Sequence, residues 1–227
     1  MHCGRVAHPR FTDGETPIAP SAVKSAGTVF TAEGEQEFVT SRALETGELT
    51  ALIEDHVQAA RRAIAAGADG IELHAANGYL LHQLLGINTN LREDAYGTDV
   101  AGRIRFIVEV AGACAGAIGP ERVGIHVAPG HVFGDMQEDD AEQTYAALYP
   151  ELAEVGLAYL HTLEAEPDPE LPTTRQARRL WPGTLIGNAG GLLSRARSAR
   201  ARRGRPRPER GPSCAWAPGG ARSGCRD

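Results

Sequence analysis

The chain has 227 residues, 42% of them hydrophobic, which is enough to bury a sizeable core as one soluble globular domain. It has no apolar run of about 18 residues and no charged, apolar leader, so we expect neither a membrane span nor a secretory signal, and we expect a cytoplasmic location. The four cysteines lack a C-x-x-C spacing, which argues against an iron–sulfur cluster, a zinc site and a disulfide framework. We therefore expect no metal.

Charge is distributed unevenly along the chain. Residues 192–227 contain ten arginines, no lysine and only two acids, Glu209 and Asp227, so this tail carries about +8 and the rest about −14. Arginine tails can bind nucleic acid, but such arms usually mix in lysine, and we expect no nucleic-acid partner. The tail consists almost wholly of Arg, Ala, Gly, Pro and Ser, as in a GC-rich gene translated out of frame. We predict a folded domain over 1–191 and a disordered tail over 192–227.

Helical and strand patterns alternate through the first 191 residues. Apolar residues recur at helical spacing, each helix stops at glycine or proline, and a short apolar run follows. The predicted helices cover 50–66, 102–118, 139–155 and 173–180, and the predicted strands cover 69–74, 123–127, 157–163 and 184–188. This alternation predicts parallel strands joined by right-handed crossovers.

Two α/β folds fit this alternation, a doubly wound sheet and a (β/α)₈ barrel. A doubly wound nucleotide-binding sheet usually carries a G-x-G-x-x-G turn after its first strand, and none occurs here. Polar residues instead close each predicted strand, as expected if all the strand ends surround one site. These residues are His74, His126, Glu164 and Asn188. The barrel is therefore the preferred fold.

Three side chains after the first predicted strand suit one reaction. His74 and Asn77 can each donate a hydrogen bond to an oxygen atom, and Tyr79 can supply a proton. Polarisation and proton donation together are what the reduction of an activated alkene requires. Taken singly, His74 is also compatible with a structural role, and the Asn-Gly-Tyr sequence is also compatible with a simple turn.

Linked motifs around these residues resemble the Old Yellow Enzyme family of flavin oxidoreductases. The stretch H-A-A-N-G-Y-L at 74–80 is followed by N-L-R-E-D-A-Y-G at 90–97 and by G-R-I-R-F at 102–106. Residues 1–9 resemble the end of that family's third strand, and 17–22 resemble the loop that follows it. The likeness continues through 123–129 and 185–191, which fall where that family has its fifth and seventh strands, and it stops at Gly191.

This resemblance implies an FMN-dependent reductase that takes its electrons from NADH or NADPH. Its substrates would be small activated alkenes: enones, enals or nitroalkenes. Tyr79 would protonate the substrate, and His74 and Asn77 would bind its electron-withdrawing oxygen. Gly190 and Gly191 would approach the FMN phosphate. His126 stands where the family usually has an arginine beside the flavin pyrimidine.

The resemblance also implies that the barrel is incomplete. The family's first two strands and its eighth strand have no counterpart in this sequence, and the glutamine that precedes the third strand is absent. Without a cysteine cluster, the branch of the family that carries no iron–sulfur centre is favoured. The alternative to an active flavin enzyme is an inactive, truncated remnant without a bound cofactor.

Overall fold

The computed structural model describes residues 4–164, 170 and 172–189, which fall within one unit by their mutual contacts. Residues 190–227 lie outside this described part, and they include Gly190, Gly191 and the whole arginine-rich tail. The division of the chain near Gly191 therefore stays a prediction.

The elements follow one another as short strands first and then as helix–strand units. Two 3₁₀ turns, Gly4–Val6 and Pro9–Phe11, precede four short strands, β1 (Ile18–Ala19), β2 (Thr28–Thr31), β3 (Gly34–Glu37) and β4 (Arg42–Ala43). The remainder is α1 (Thr46–Ala65), β5 (Ile71–Ala75), α2 (Leu80–Gln83), α3 (Val100–Ile118), a 3₁₀ turn (Pro120–Arg122), β6 (Val123–Val127), α4 (Ala141–Val155), β7 (Tyr159–Leu163), α5 (Pro172–Leu180) and β8 (Thr184–Asn188).

The central sheet has four parallel strands in the order β5-β6-β7-β8. Consecutive neighbours in this sheet are joined by crossover helices, as the alternating pattern predicted. The strands β1 and β4 form a separate parallel pair, and β2 and β3 form an antiparallel hairpin. The architecture of the described residues is an arc of a parallel barrel with its helices outside.

The two faces of the central sheet differ in chemistry because side chains alternate along a strand. Leu73, Ile125 and Leu160 point to one face and are buried in the main hydrophobic core, which includes residues of α1, α3 and α4. The intervening positions carry Glu72, His74, His126 and His161. The polar face is the side that a closed barrel would turn inward.

The predicted strands 123–127 and 184–188 have the observed bounds, whereas α1 begins at Thr46, four residues before the predicted start. The Glu48 carboxylate accepts a hydrogen bond from the Glu45 backbone N–H at 2.8 Å and is paired with Arg42, which secures the first turn. The small strands β1 to β4 were not predicted. Two of them have only two residues each, too few to show a period.

Among the helices of the described part, none combines the length and the apolar character needed to cross a membrane.

Two glycines of α3 allow a test of how tightly this helix is packed. A Cβ atom on Gly102 would lie 2.0 Å from the carbonyl oxygen of Gly97, whereas a Cβ on Gly112 would meet no atom within 4 Å. We expect Gly102→Ala to lower the free energy of unfolding by about 1–3 kcal/mol. Gly112→Ala, the matched control, should raise it by about 0.5–1 kcal/mol through its helix propensity. Urea denaturation measures both, and equal effects would contradict the packing described here.

Candidate active site

Asn77 and Gly78 form a tight turn just beyond the carboxyl end of β5. Both residues have positive φ, 55° and 71°, and the Tyr79 N–H donates to the Ala76 carbonyl at 3.2 Å. This is the φ pattern of a type I′ turn, for which Asn-Gly is the preferred pair. Glycine is required at the second position, because a Cβ on Gly78 would lie 2.3 Å from the Phe133 carbonyl oxygen.

The turn brings two of the predicted catalytic rings together. The centroids of His74 and Tyr79 are 5.2 Å apart, with ring planes inclined by 50°. Asn77 lies at the apex between them and is partly exposed. Tyr79 also packs against a small cluster of Val6, Val29 and Phe38. All three predicted residues therefore belong to one short segment at the carboxyl edge of the sheet.

The buried His82 supports this turn through a hydrogen bond. The Gly78 N–H donates to Nδ1 of His82 at 2.9 Å, so the ring proton of neutral His82 resides on Nε2. That Nε2 lies 3.2 Å from the Glu138 carboxylate, and both side chains are almost fully buried. Glu138 also accepts from the Gly130 N–H at 2.8 Å. The turn after β5 and the loop after β6 are thus held by the same pair of side chains.

The N-terminal segment docks onto the same loop through Gln83. Its side-chain oxygen accepts from the Arg5 N–H at 3.0 Å, and its amide nitrogen donates to the Gly78 carbonyl at 2.6 Å. The buried Arg5 guanidinium donates to the carbonyls of Gly134 and Asp135, each at 2.7 Å. Burial lowers the pKa of Arg5, and the nearby Asp135 carboxylate opposes this effect. Arg5 therefore fixes the loop that packs over Gly78.

The N-L-R-E-D-A-Y-G motif has a structural role here. Asn90 donates to the carbonyls of Leu84 and Tyr96, at 2.8 and 2.7 Å. Arg92 pairs with Asp94 and reaches the carbonyls of Pro20 and Leu44. The Arg92 hydrogen bond holds the pKa of Asp94 well below its usual range. This motif joins the loop after α2 to the ends of the strands β1 and β4.

His126 lies on the next strand, level with His74. The two residues are paired in register, and their rings meet edge to face at 5.2 Å between centroids. Burial, together with His161 and His74, lowers the pKa of His126 to about 4. Burial also lowers the pKa of His74, although the Glu72 carboxylate opposes the shift. Both imidazoles are therefore neutral near pH 7, and His126 lacks the charge of an arginine.

Of the four polar strand ends, Glu164 differs from the expected lining of a site, whereas Asn188 pairs with Leu163, two residues after His161, and so lies on the polar face. The Glu164 carboxylate accepts from the backbone N–H groups of Thr173 and Thr174, at 3.2 and 2.7 Å, so it caps the start of α5. Asn188 is the last residue of β8 and is exposed. Gly190 and Gly191, predicted to approach a phosphate, lie outside the described residues, so that prediction stays open.

Sequence reasoning missed two residues of the polar face, Glu72 and His161. The His161 ring stacks on His126 with 3.9 Å between centroids, and its Nδ1 lies 3.2 Å from a Glu72 carboxylate oxygen. A period-two reading back from His74 would have found Glu72. The same reading back from Glu164, the polar residue predicted to end β7, gives Thr162 on the opposite face and misses His161.

Comparison with protein-family models places residues 2–186 in the NADH:flavin oxidoreductase / NADH oxidase family. The chain is 41% identical over 162 residues to chanoclavine-I aldehyde reductase fgaOx3 of Penicillium roqueforti, covering 71% of this chain and 42% of that protein. It is 34% identical over 190 residues to a Leishmania infantum protein named "Probable flavin mononucleotide-dependent alkene reductase", covering 81% of this chain and 52% of the other. The chain thus spans about half the length of these relatives.

Solved structures agree with this result. The structure of an Old Yellow Enzyme homologue from Zymomonas mobilis matches this chain with a TM-score of 0.81 and 30% identity. The match covers 88% of this chain and 58% of the homologue's chain. Morphinone reductase in complex with tetrahydroNAD matches 88% of this chain and 57% of its own, with a TM-score of 0.78 and 40% identity. The predicted fold, an incomplete (β/α)₈ barrel, is confirmed. The chain belongs to the NADH:flavin oxidoreductase / NADH oxidase family, of the Old Yellow Enzyme type.

Proposed function

We propose that this chain forms the substrate-activating part of an FMN-dependent oxidoreductase that reduces the C=C bond of enones, enals or nitroalkenes. The single observation that carries the proposal is the pairing of His74 and Tyr79, 5.2 Å apart on one turn at the carboxyl edge of a parallel sheet. The names of the relatives support it, since one is named "Probable flavin mononucleotide-dependent alkene reductase" and another is named as a chanoclavine-I aldehyde reductase.

The polar face of the sheet suits the edge of a flavin. His126 is nine-tenths buried, yet its Nε2 has no hydrogen-bond partner among the described residues. Such a nitrogen is available to a heterocycle that carries both donors and acceptors. When bound, FMN reduced by NADH or NADPH would supply the hydride. His126 would hold its pyrimidine edge, and Gly190 and Gly191 would approach its phosphate.

His74 and Asn77 would bind the electron-withdrawing oxygen of the substrate. A neutral imidazole keeps one N–H donor, and the Asn77 amide supplies another, without placing a full charge in the site. Negative charge grows on the substrate oxygen as hydride adds to the β-carbon. Donors that the turn already holds in place stabilise this charge at little cost of reorganisation.

Tyr79 would deliver a proton to the α-carbon. Its phenolic ring lies on the His74 side of the turn and packs against apolar residues, which limits the water that could compete as a proton source. The bond to the α-carbon forms as the O–H bond of Tyr79 breaks, and solvent returns the proton afterwards.

A second candidate is an inactive remnant that keeps the family's sequence without its cofactor. One observation favours it: the neutral His126 stands where the family usually has arginine. A remnant of this kind would bind no flavin.

The two half-reactions separate the proposed role of Tyr79 from a structural one. With FMN bound, we expect Tyr79→Phe to leave the reduction of the flavin by NADPH or NADH unchanged. The same variant should slow 2-cyclohexenone reduction about 10²–10⁴-fold, the usual contribution of a positioned proton donor. Anaerobic stopped-flow spectroscopy follows both steps through the flavin absorbance.

Tyr96→Phe is the matched control, because its hydroxyl hydrogen-bonds Glu109 at 2.9 Å on another part of the fold. It should not alter either step. Equal rates of alkene reduction in Tyr79→Phe and the unchanged chain would refute the assignment of Tyr79 as the proton donor.

The protonation of His126 provides an independent check of the site. Because its folded pKa of about 4 lies below the ordinary histidine value, His126 should remain neutral until the pH falls towards 4. The stability that it contributes should be complete above about pH 6.5 and should decline between about pH 6.5 and 4. Histidine NMR titration measures this pKa, with His126→Gln assigning the resonance. A midpoint near 6.5 would contradict the described burial.

A further inference from the structure

We propose that Glu72, His126 and His161 form a binding site for a divalent transition metal of the zinc type, with one coordination position left open. The three residues come from three adjacent strands, β5, β6 and β7. One potential ligand atom from each residue lies within 4.8 Å of those from the other two. The expectation of no metal rested on cysteine spacing, which does not address histidine and carboxylate ligands. The proposal does not require the flavin function, but the two would use the same residue, His126.

Distances within the cluster are close to those of a metal site. One Glu72 carboxylate oxygen lies 3.2 Å from His161 Nδ1, and the other lies 4.0 Å from His126 Nδ1. Ligand atoms around a tetrahedral zinc ion, with bonds near 2.1 Å, are about 3.4 Å apart. Rotation of the two imidazoles about their Cβ–Cγ bonds, which opens their stack, would complete the geometry without movement of the backbone.

The backbone register fixes these side chains. His126 pairs with His161 across β6 and β7, and the two rings stack at 3.9 Å, nearly parallel at 10°. Hydrogen-bonded parallel strands hold both Cα atoms, so the imidazoles are already side by side before any ion arrives. The register therefore fixes where the two rings lie but not how they are oriented. Parallel rings direct their in-plane nitrogen lone pairs parallel to each other, so both can bind one ion only after the rings rotate out of the stack.

The Nδ1 atom of His126 lies 4.0 Å from a Glu72 carboxylate oxygen and is the atom that would bind the ion. The His126 side chain is nine-tenths buried, and it makes no competing polar contact through its other ring nitrogen, Nε2, within the described residues. Buried polar groups normally have partners. The ring is thus held by stacking rather than by a competing polar contact, and its Nδ1 faces the Glu72 carboxylate.

Tyr159 would orient the Glu72 carboxylate through a hydrogen bond. Two residues before each histidine along its strand, Glu72 pairs with Gly124 and Gly124 pairs with Tyr159. A Cβ on Gly124 would lie 2.2 Å from the Tyr159 ring, so glycine on β6 lets the phenol cross this strand. The Tyr159 hydroxyl hydrogen-bonds Glu72. Partners of this kind commonly fix metal-binding carboxylates.

The donor set selects the class of metal. Two imidazoles and one carboxylate suit zinc, cobalt, nickel or ferrous iron, whereas magnesium and calcium prefer oxygen ligands alone. About a third of the Glu72 side chain is exposed, which leaves room for water or a small oxygen ligand at a fourth position.

Cobalt(II) titration of the full chain tests the site, because four-coordinate cobalt develops strong visible bands. The titration uses protein from which the affinity tag has been removed and to which no FMN is added. FMN is left out because His126 is also the residue expected beside the flavin. The cysteine thiols are alkylated beforehand so that they cannot bind the ion. We expect saturable bands that zinc abolishes and that magnesium leaves unchanged.

Single substitutions decide which residues bind. Glu72→Gln and His161→Gln should each weaken cobalt binding by roughly tenfold or more. His56→Gln on α1, whose ring contacts the Leu52 carbonyl, is the matched control and should bind as the unchanged chain does. Circular dichroism establishes that each variant is folded. No cobalt bands in the unchanged chain, or bands that persist in both site variants, would overturn the proposal, and neither result would bear on flavin binding.

Discussion

The parallel register of β5, β6 and β7 is the constraint on which the rest of the structure depends. It places His74, His126 and His161 in one row across the sheet, and it sends Leu73, Ile125 and Leu160 to the opposite face. Because side chains alternate along a strand, the register determines both which residues face the helices and which residues form the polar face. The apolar set anchors the helices, and the polar set forms the candidate site. A slip of one residue would bury the imidazoles among the helices.

The proposed catalytic geometry then depends on the short turn that follows β5. Asn77 and Gly78 reverse the chain and return the Tyr79 ring to His74, while the buried pair of His82 and Glu138 holds the turn against the loop after β6. Removal of one side chain of a buried polar pair leaves the other without its partner, which lowers the free energy of unfolding. The rigidity of the turn and the stability of this part of the fold therefore have the same physical origin.

Much of this arrangement was predictable from the sequence. The period of apolar residues predicted the four helix–strand units, and β6 and β8 have the predicted bounds. The grouping of His74, Asn77 and Tyr79 followed from their closeness in sequence. Glu72 and His161 are 89 positions apart, and only the strand register brings them together. Glu164 was misleading, because a carboxylate after a strand suits a helix cap as well as a site.

The central claim is that this arc of the barrel holds a flavin on its histidine-bearing face, and an FMN titration of the purified chain tests it most directly. Flavin fluorescence and the visible spectrum report binding, with His126→Leu as the variant that removes the ring nitrogens. We expect saturable quenching at one FMN per chain, weakened in His126→Leu. The absence of saturable binding by the folded chain would contradict it and would leave the family relationship as ancestry alone.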